Sequence, residues 1–292
     1  MVGSKSVRQK ALLETYQEPF PIHTPGAIQP HGALLALAPD TLKIEQVSQN
    51  VDHYLGYEPG ALLGQPLQNF VATDQLLKLD EVLQKEPVIP HPLQLVLKIH
   101  DLDHNNSQPQ ERTFDTLVHL AEGRLIVEME PISGADSGFL AVHGKVKGTL
   151  ANMRQPPKLS DFLTLVTDEV RNLTGFDRVM IYRFDDGDGA GLVEAESRIE
   201  TAPSYLGLHF PCTDIPNLAR DLFQFNPLRL IPDVNCEPVP LIATSGSTSP
   251  DGLDMPSPLD LGRSTLRQVS PCHVQYLKNM GVQATMVIPL LK

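Results

Sequence analysis

Ser270-Pro271-Cys272-His273-Val274-Gln275-Tyr276-Leu277-Lys278-Asn279-Met280-Gly281-Val282 is the stretch whose reading decides this chain. Ser270 predicts a helix N-cap, Pro271 suits the first helical position because its missing N–H is no loss there, and Gly281 is a natural stop. Cys272 then falls in the first turn, where open backbone N–H groups and the positive dipole end favour thiolate over thiol. That is the nucleophilic form, so the site suits covalent chemistry. A lone helical cysteine, taken by itself, is more often a small buried hydrophobe. A Cys-His hydrolase is disfavoured, because neighbours in sequence point about 100° apart on a helix and do not face each other as nucleophile and base must. Cys212, Cys236 and Cys272 are the three cysteines, and they lack the paired spacing of a structural zinc site. Cys272, His273 and Tyr276 share one broad arc of the helix and could face a single ligand.

Working outward, 292 residues with 41% hydrophobic content suffice for two ordinary domains. The formal net charge of −12, with no Lys/Arg-rich run, disfavours a nucleic-acid partner. Met1 to Lys10 is polar and basic with no apolar core behind it, and no stretch reaches bilayer-spanning length, so a cytoplasmic protein without a membrane anchor is expected. Few, unpatterned cysteines agree with a reducing compartment.

Residues 1–20 predict a short helical arm. Residues 21–133 show short strands with one helical interruption: Ala33 to Leu37 is apolar, Lys43 to Val47 alternates, and Gly123 to Ile132 holds Arg-Leu-Ile-Val-Glu-Met-Glu. This resembles a PAS domain. Residues 134–158, with Gly-Ala-Asp-Ser-Gly and a Pro-Pro pair, read as a linker. From 159 to 292 a second domain opens with a helix capped by Ser160, apolar at Phe162, Val166, Val170 and Leu173, and closed by Gly175. Strands Val179 to Phe184 and Leu192 to Glu196 flank an Asp/Gly turn, a GAF-like opening. The fold class is α+β, with antiparallel sheets flanked by helices.

Tyr205-Leu206-Gly207-Leu208-His209-Phe210-Pro211-Cys212-Thr213-Asp214-Ile215-Pro216 leads into an amphipathic helix with Leu218, Leu222 and Phe225 on one face. Pro216 biases Ile215 away from the α region, so the Asp214 carbonyl can point outward; an ordinary helix entry is the plainer alternative. Arg229 and Arg267 carry guanidinium forks suited to carboxylates, although surface arginines usually do no more than solvate. Tyr182, Tyr205, Phe210 and Tyr276 cluster in a chain with 5% aromatics; core packing explains most such residues. Pro227 to Pro258 holds seven prolines and the tract Ala243 to Gly252, an excursion of a length that is functional or disordered.

Cys272-His273, Arg267, Met280-Gly281-Val282 and Asp214-Ile215-Pro216 at their spacing resemble the phytochromes, over about residues 20–292. The resemblance implies PAS and GAF domains joined by a figure-of-eight knot, the 227–258 excursion forming a lasso around the chain N-terminal to the PAS domain near Ile22 and Ile28. It implies that Cys272 forms a thioether to ring A of a linear tetrapyrrole (bilin). By the same resemblance the Asp214 carbonyl accepts from the pyrrole N–H groups, with His273 beside the inner rings and a water between them. Arg229 and Arg267 clamp the propionates, with Thr285 standing where relatives carry a supporting serine. Tyr182, Tyr205, Phe210 and Tyr276, with Ile215 and Pro216, line the chromophore. Phe210 stands where relatives often have tyrosine and loses a hydroxyl contact near ring D. The Cys-His pair belongs to the cyanobacterial and plant type. The bacterial, biliverdin-linked type attaches through a cysteine before Ile28-Gln29-Pro30-His31-Gly32, and none lies there, so phycocyanobilin is preferred to biliverdin.

The function implied is a red/far-red photoreceptor module for sensory transduction, not an enzyme beyond autocatalytic attachment, that signals to a histidine kinase and response regulator of a two-component system as a homodimer. By resemblance the GAF domain is expected to continue past Lys292 with a strand, a helix and a PHY domain. The alternatives are a pigment-free PAS-GAF small-ligand or dimerisation module and a thiol enzyme.

Overall fold

The computed structural model describes residues 20–85, 89–100, 110–132, 146–150, 152, 158–185, 189–215, 217–243 and 258–291. The expected helical arm and most of the linker lie outside these residues. Two compact units emerge, one built from Ser133–Asn217 and the other from Gln17–Ile132 together with Leu218–Lys292.

The second unit is organised by a seven-stranded antiparallel sheet. Its strands in chain order are β1 (Ala27–Ile28), β2 (Ala33–Ala38), β3 (Lys43–Ser48), β4 (His91–Ile99), β5 (Gln110–Ala121) and β6 (Arg124–Pro131), joined by a strand from much later in the chain, Val239–Ala243. That late strand sits between β1 and β3, pairing Leu241 with Ser48 and Pro240 with Ala27. Successive side chains on a strand face opposite sides, and here both sides are covered. Leu35, Leu37, Val127 and Met129 enter a core closed by Val51, Leu55 and Leu79, which lie on helices α1 (Val51–Leu55) and α3 (Thr73–Leu83), with a short α2 (Pro59–Leu62) between them. Leu34, Ala36 and Ile126 face the other way, under Leu259, Leu261 and Leu266. This explains why β2 is apolar without alternation.

Residues 22–29 run between two segments of that covering layer. Gly26 and Ala27 carbonyls accept from Leu241 and Gln268 N–H groups, Gln29 N–H donates to the Leu266 carbonyl, and Leu261 N–H to the His23 carbonyl. Ile22 and Ile28 are buried there. Residues 244–257, which would close a lasso, lie outside the described residues.

The first unit holds α4 (Leu159–Thr174) over strands β7 (Arg178–Phe184), β8 (Gly191–Arg198) and β9 (His209–Phe210). Gly175 ends α4 in the left-handed conformation at φ 76°, as read from sequence. The start differs: Lys158, not Ser160, occupies the N-cap position and no side chain caps it. The Ser160 hydroxyl instead donates to Asp161.

Candidate functional site

The sequence-predicted residues fall into two groups, one in each unit. In the larger unit, β10 (Arg229–Ile231) pairs with β12 (Thr285–Val287), the Val239–Ala243 strand between them being β11. The expected strand to Leu291 is thus shorter, ending at Val287, and Leu290 beyond it is exposed. Arg229 opposes Val287, and Ile231 opposes Thr285, so Arg229 and Thr285 share a face of this ladder diagonally. The helix Asn217–Phe223 (α5) precedes it. Leu222 is buried as expected, whereas Phe225 lies past the helix end and is exposed.

Helix α6 (Pro271–Asn279) is built as its sequence specifies. Ser270 Oγ accepts from His273 N–H at 3.2 Å, Pro271 occupies the first turn, and Gly281 follows in the left-handed region at φ 71°. Leu277 anchors it against Ile231, Val234 and Val269. Cys272 is exposed in the first turn. Beside it, the rings of His273 and, one turn on, Tyr276 lie nearly parallel, 8° apart with centroids at 6.4 Å.

Two arginines close in on this helix. Arg267 is 7% exposed and donates through Nη1 to the Ile22 carbonyl, while its Nε is buried without a hydrogen-bond partner. Arg229 donates to the carbonyls of Thr265 at 3.1 Å and Gln268 at 3.4 Å. Among the described residues, no carboxylate lies within ion-pair distance of either guanidinium. Burial lowers Arg229 to about 9, helped by the Arg267 charge and opposed by Glu128. Burial likewise lowers Arg267 to about 10 against the pull of Asp260 and Glu128. Solvent reaches the His273 side chain, yet the protein around it and then the two arginines hold it down to about 4. The imidazole is therefore neutral near pH 7 and able to accept a hydrogen bond. Burial and Arg229 likewise lower His31, which sequence reading passed over, to about 4.

In the smaller unit, Tyr182, Phe184, Tyr205 and Phe210 form an aromatic cluster, with Tyr182–Phe184, Tyr182–Phe210 and Tyr205–Phe210 centroids at 5.1, 6.1 and 6.4 Å. Phe184 was not singled out from the sequence, although it sits two residues from Tyr182 on the same strand face. Gly191 makes room for Tyr182: a Cβ there would fall 1.8 Å from its ring. Tyr205 is held from behind. Glu196 accepts from its N–H at 3.1 Å and from the Ser204 hydroxyl at 2.6 Å, and Arg178, paired to Glu196 at 3.1 Å, stacks over the Tyr205 ring at 3.8 Å. Burial raises Glu196, but these hydrogen bonds and the Arg178 charge outweigh it and hold the carboxyl low. Asp214 and Ile215 are half-buried in the turn after β9, where Asp214 N–H donates to the Pro211 carbonyl. Pro216 lies outside the described residues.

An open-chain tetrapyrrole carries two propionates, a basic nitrogen core and an electrophilic ring-A substituent. The larger unit offers two recessed guanidiniums with no carboxylate at ion-pair distance among the described residues, a neutral imidazole and an exposed thiol, and these fit that set.

Comparison with known proteins matches residues 16–132 to the PAS fold and residues 158–292 to the GAF domain. The chain is 40% identical to cyanobacterial phytochrome B of Nostoc sp. over 93% of its own length and 34% of that protein's. It is 36% identical to cyanobacterial phytochrome A of the same organism over 100% of its own length and 36% of the other. It therefore spans about a third of the length of these curated relatives. Among solved structures, the chromophore binding domain of a Stigmatella aurantiaca phytochrome superposes with a TM-score of 0.79 at 40% identity, over 94% of this chain and 85% of that one. With both segments matched in order and the fold shared, the chain belongs to the phytochrome family, of which it carries the PAS and GAF segments.

Proposed function

We propose that the chain is a light-sensing module that binds a bilin through Cys272 and interconverts between red- and far-red-absorbing states. The observation that carries this reading is the pair of recessed arginines, Arg229 and Arg267, without a carboxylate partner among the described residues and close enough to His273 to depress its basicity. Two recessed like charges are costly to hold together, and an incoming anion offsets that cost.

When bound, the bilin supplies light absorption and isomerisation about the bridge between rings C and D. Cys272 gives the sulfur of a thioether to ring A, favoured by its place in the first turn of α6. Arg229 and Arg267 take the propionates, with Thr285 on the ladder face of Arg229 adding a hydroxyl. Neutral His273 accepts a hydrogen bond beside the pyrrole nitrogens, and Tyr276 stacks against it. Asp214, Ile215 and Pro216, with Tyr182, Tyr205 and Phe210, are assigned to the same chromophore on the resemblance alone. Phycocyanobilin is the preferred pigment over biliverdin, because Cys272-His273 is present and no cysteine precedes Ile28. The domains are taken as 21–133 and 159–292, with a 134–158 linker and the chain around Ile28 passing through a lasso. In the cell the module is assigned to the cytoplasm, as part of a homodimer passing its signal to a histidine kinase and response regulator. No helix among the described residues is long and apolar enough to cross a membrane.

The test is attachment itself. The chain is produced with phycocyanobilin or biliverdin, beside Cys272→Ala, and zinc-induced fluorescence is read on a denaturing gel. A fluorescent band with phycocyanobilin that vanishes in Cys272→Ala is expected; a band that persists in the variant, or a folded protein that never takes pigment, contradicts the assignment.

A further inference from the structure

The buried polar side chains opposite the arginine-bearing segment have no role in the reading above, and one of them carries an inference. Resting on the bilin-binding reading, we propose that Glu128 of the PAS sheet is a positioning residue for Arg267: its carboxyl fixes the backbone of residues 265–266 and so sets the direction from which the guanidinium meets a propionate.

Alternation along β6 sends Leu125, Val127 and Met129 into one core and Ile126 and Glu128 to the opposite face, beneath Leu266. Glu128 is 2% exposed there, amid apolar neighbours where a leucine would pack without burying a polar group. Its Oε2 accepts from Leu266 N–H at 2.6 Å, and Thr265 N–H also bonds to the carboxyl. The carbonyls of the same two residues are held as well, Thr265 by Gln29 Nε2 at 3.2 Å and Arg229 at 3.1 Å, Leu266 by Gln29 N–H at 2.7 Å. The two peptides before Arg267 are thus fixed at every hydrogen-bonding group, without a strand ladder to do it. The segment presses on the sheet closely enough that a Cβ at Gly32 would lie 2.6 Å from the Met129 carbonyl and 2.9 Å from a Leu266 methyl. Without the carboxyl, two buried N–H groups lose their acceptor, the peptides turn to find another, and the Arg267 Cα–Cβ direction turns with them.

The second carboxyl oxygen, Oε1, has no hydrogen-bond partner and faces His119 Nδ1 at 3.9 Å. His119 belongs to this same face, opposite Ile126 on β5. The anchor is therefore Oε2, and an amide at position 128 that keeps one acceptor oxygen preserves it.

The test uses the full chain and phycocyanobilin, with the reversible affinity and the limiting attachment rate both read from the concentration dependence of attachment. Glu128→Leu is expected to weaken reversible binding about tenfold or more, as leaving a buried N–H without its acceptor does, with the limiting rate at Cys272 unchanged. Glu128→Gln is expected to restore most of the affinity. Arg267→Ala weakens binding similarly, and adding Glu128→Leu to it is expected to cost nothing further, because Glu128 acts through Arg267. If Glu128→Leu does not fold, Glu128→Asp, whose shorter carboxyl retreats from Leu266 N–H, carries the same double-variant test. Wild-type affinity in these variants, or effects that add fully to Arg267→Ala, overturns the inference while leaving pigment binding intact. A wild-type chain that takes no pigment overturns the bilin reading and this inference with it.

Discussion

The charge on Arg267 reaches Arg229 and, after burial itself, is the largest influence lowering the Arg229 guanidinium to about 9. Two like charges held this way oppose folding of the pigment-free chain and favour an incoming dianion. Arg229→Met is expected to melt no lower than wild type without pigment, because the repulsion it removes offsets the carbonyl hydrogen bonds it loses. The same variant is expected to lower bilin affinity by about tenfold or more. Thermal melts with and without phycocyanobilin check this; a variant that melts several degrees lower and still binds pigment normally shows Arg229 to be structural.

Ser270 is the cap on which the geometry of Cys272 depends. Ser270→Ala is expected to destabilise α6 by about 1 kcal/mol and to slow pigment attachment, because the first turn frays and Cys272 loses its fixed place at the helix mouth. Ser270→Asp keeps an acceptor and adds a charge favoured at that end, so it is expected to attach at near the wild-type rate. Stopped-flow absorbance with urea unfolding separates the two effects.

Gly191→Ala places a methyl where the Tyr182 ring lies. The expected result is destabilisation of roughly 1–3 kcal/mol from overpacking, seen as a lower urea midpoint, and a pigment spectrum shifted from wild type as Tyr182 moves. An unchanged midpoint and spectrum contradict the assignment of Tyr182 to the chromophore.

The buried pair on the PAS sheet sets a pH dependence with two opposing limbs. Burial pushes Glu128 up to about 8 from 4.5 despite hydrogen bonds from Leu266 and Thr265, so the folded chain holds a proton that the unfolded chain releases. Its contribution is fully present below 4.5 and is lost as pH rises through about 8. Burial, then Arg263, lowers His119 from 6.5 to about 4, so its contribution is present above 6.5 and lost as pH falls through about 4. Glu128→Gln is therefore expected to gain on wild type by up to about 1 kcal/mol per pH unit across the upper limb, and to track it on the lower one. Urea unfolding across that range measures the difference. Parallel curves on the upper limb rule out a protonated Glu128.

Much of the local structure was legible because its signals are local. Ser270, Pro271 and Gly281 specify α6, Gly175 stops α4, and alternation or apolar runs mark β2, β3, β6, β7 and β8. The β4–β5 hairpin was not read. Its burial alternates only in part, and Pro92 near its start argues against a strand. β11 reads as part of a proline-rich loop because its partners, Ala27 and Ser48, lie about two hundred residues away and no local pattern encodes such a pairing. The chemistry-bearing residues of the site were legible through the resemblance, since Arg229 and Arg267 alone look like any surface arginines. Glu128, Glu196 and Arg178 were not, because each acts by holding backbone or another side chain, and a carboxylate in an alternating strand reads as solvent-facing.

The most direct measurement is a red/far-red difference spectrum of the chain loaded with phycocyanobilin, recorded after alternating red and far-red illumination and repeated on Cys272→Ala. Bands that exchange reversibly over many cycles are expected in wild type, with the covalent adduct lost in the variant. A folded wild-type chain that stays colourless, or holds pigment without photoconverting, contradicts it.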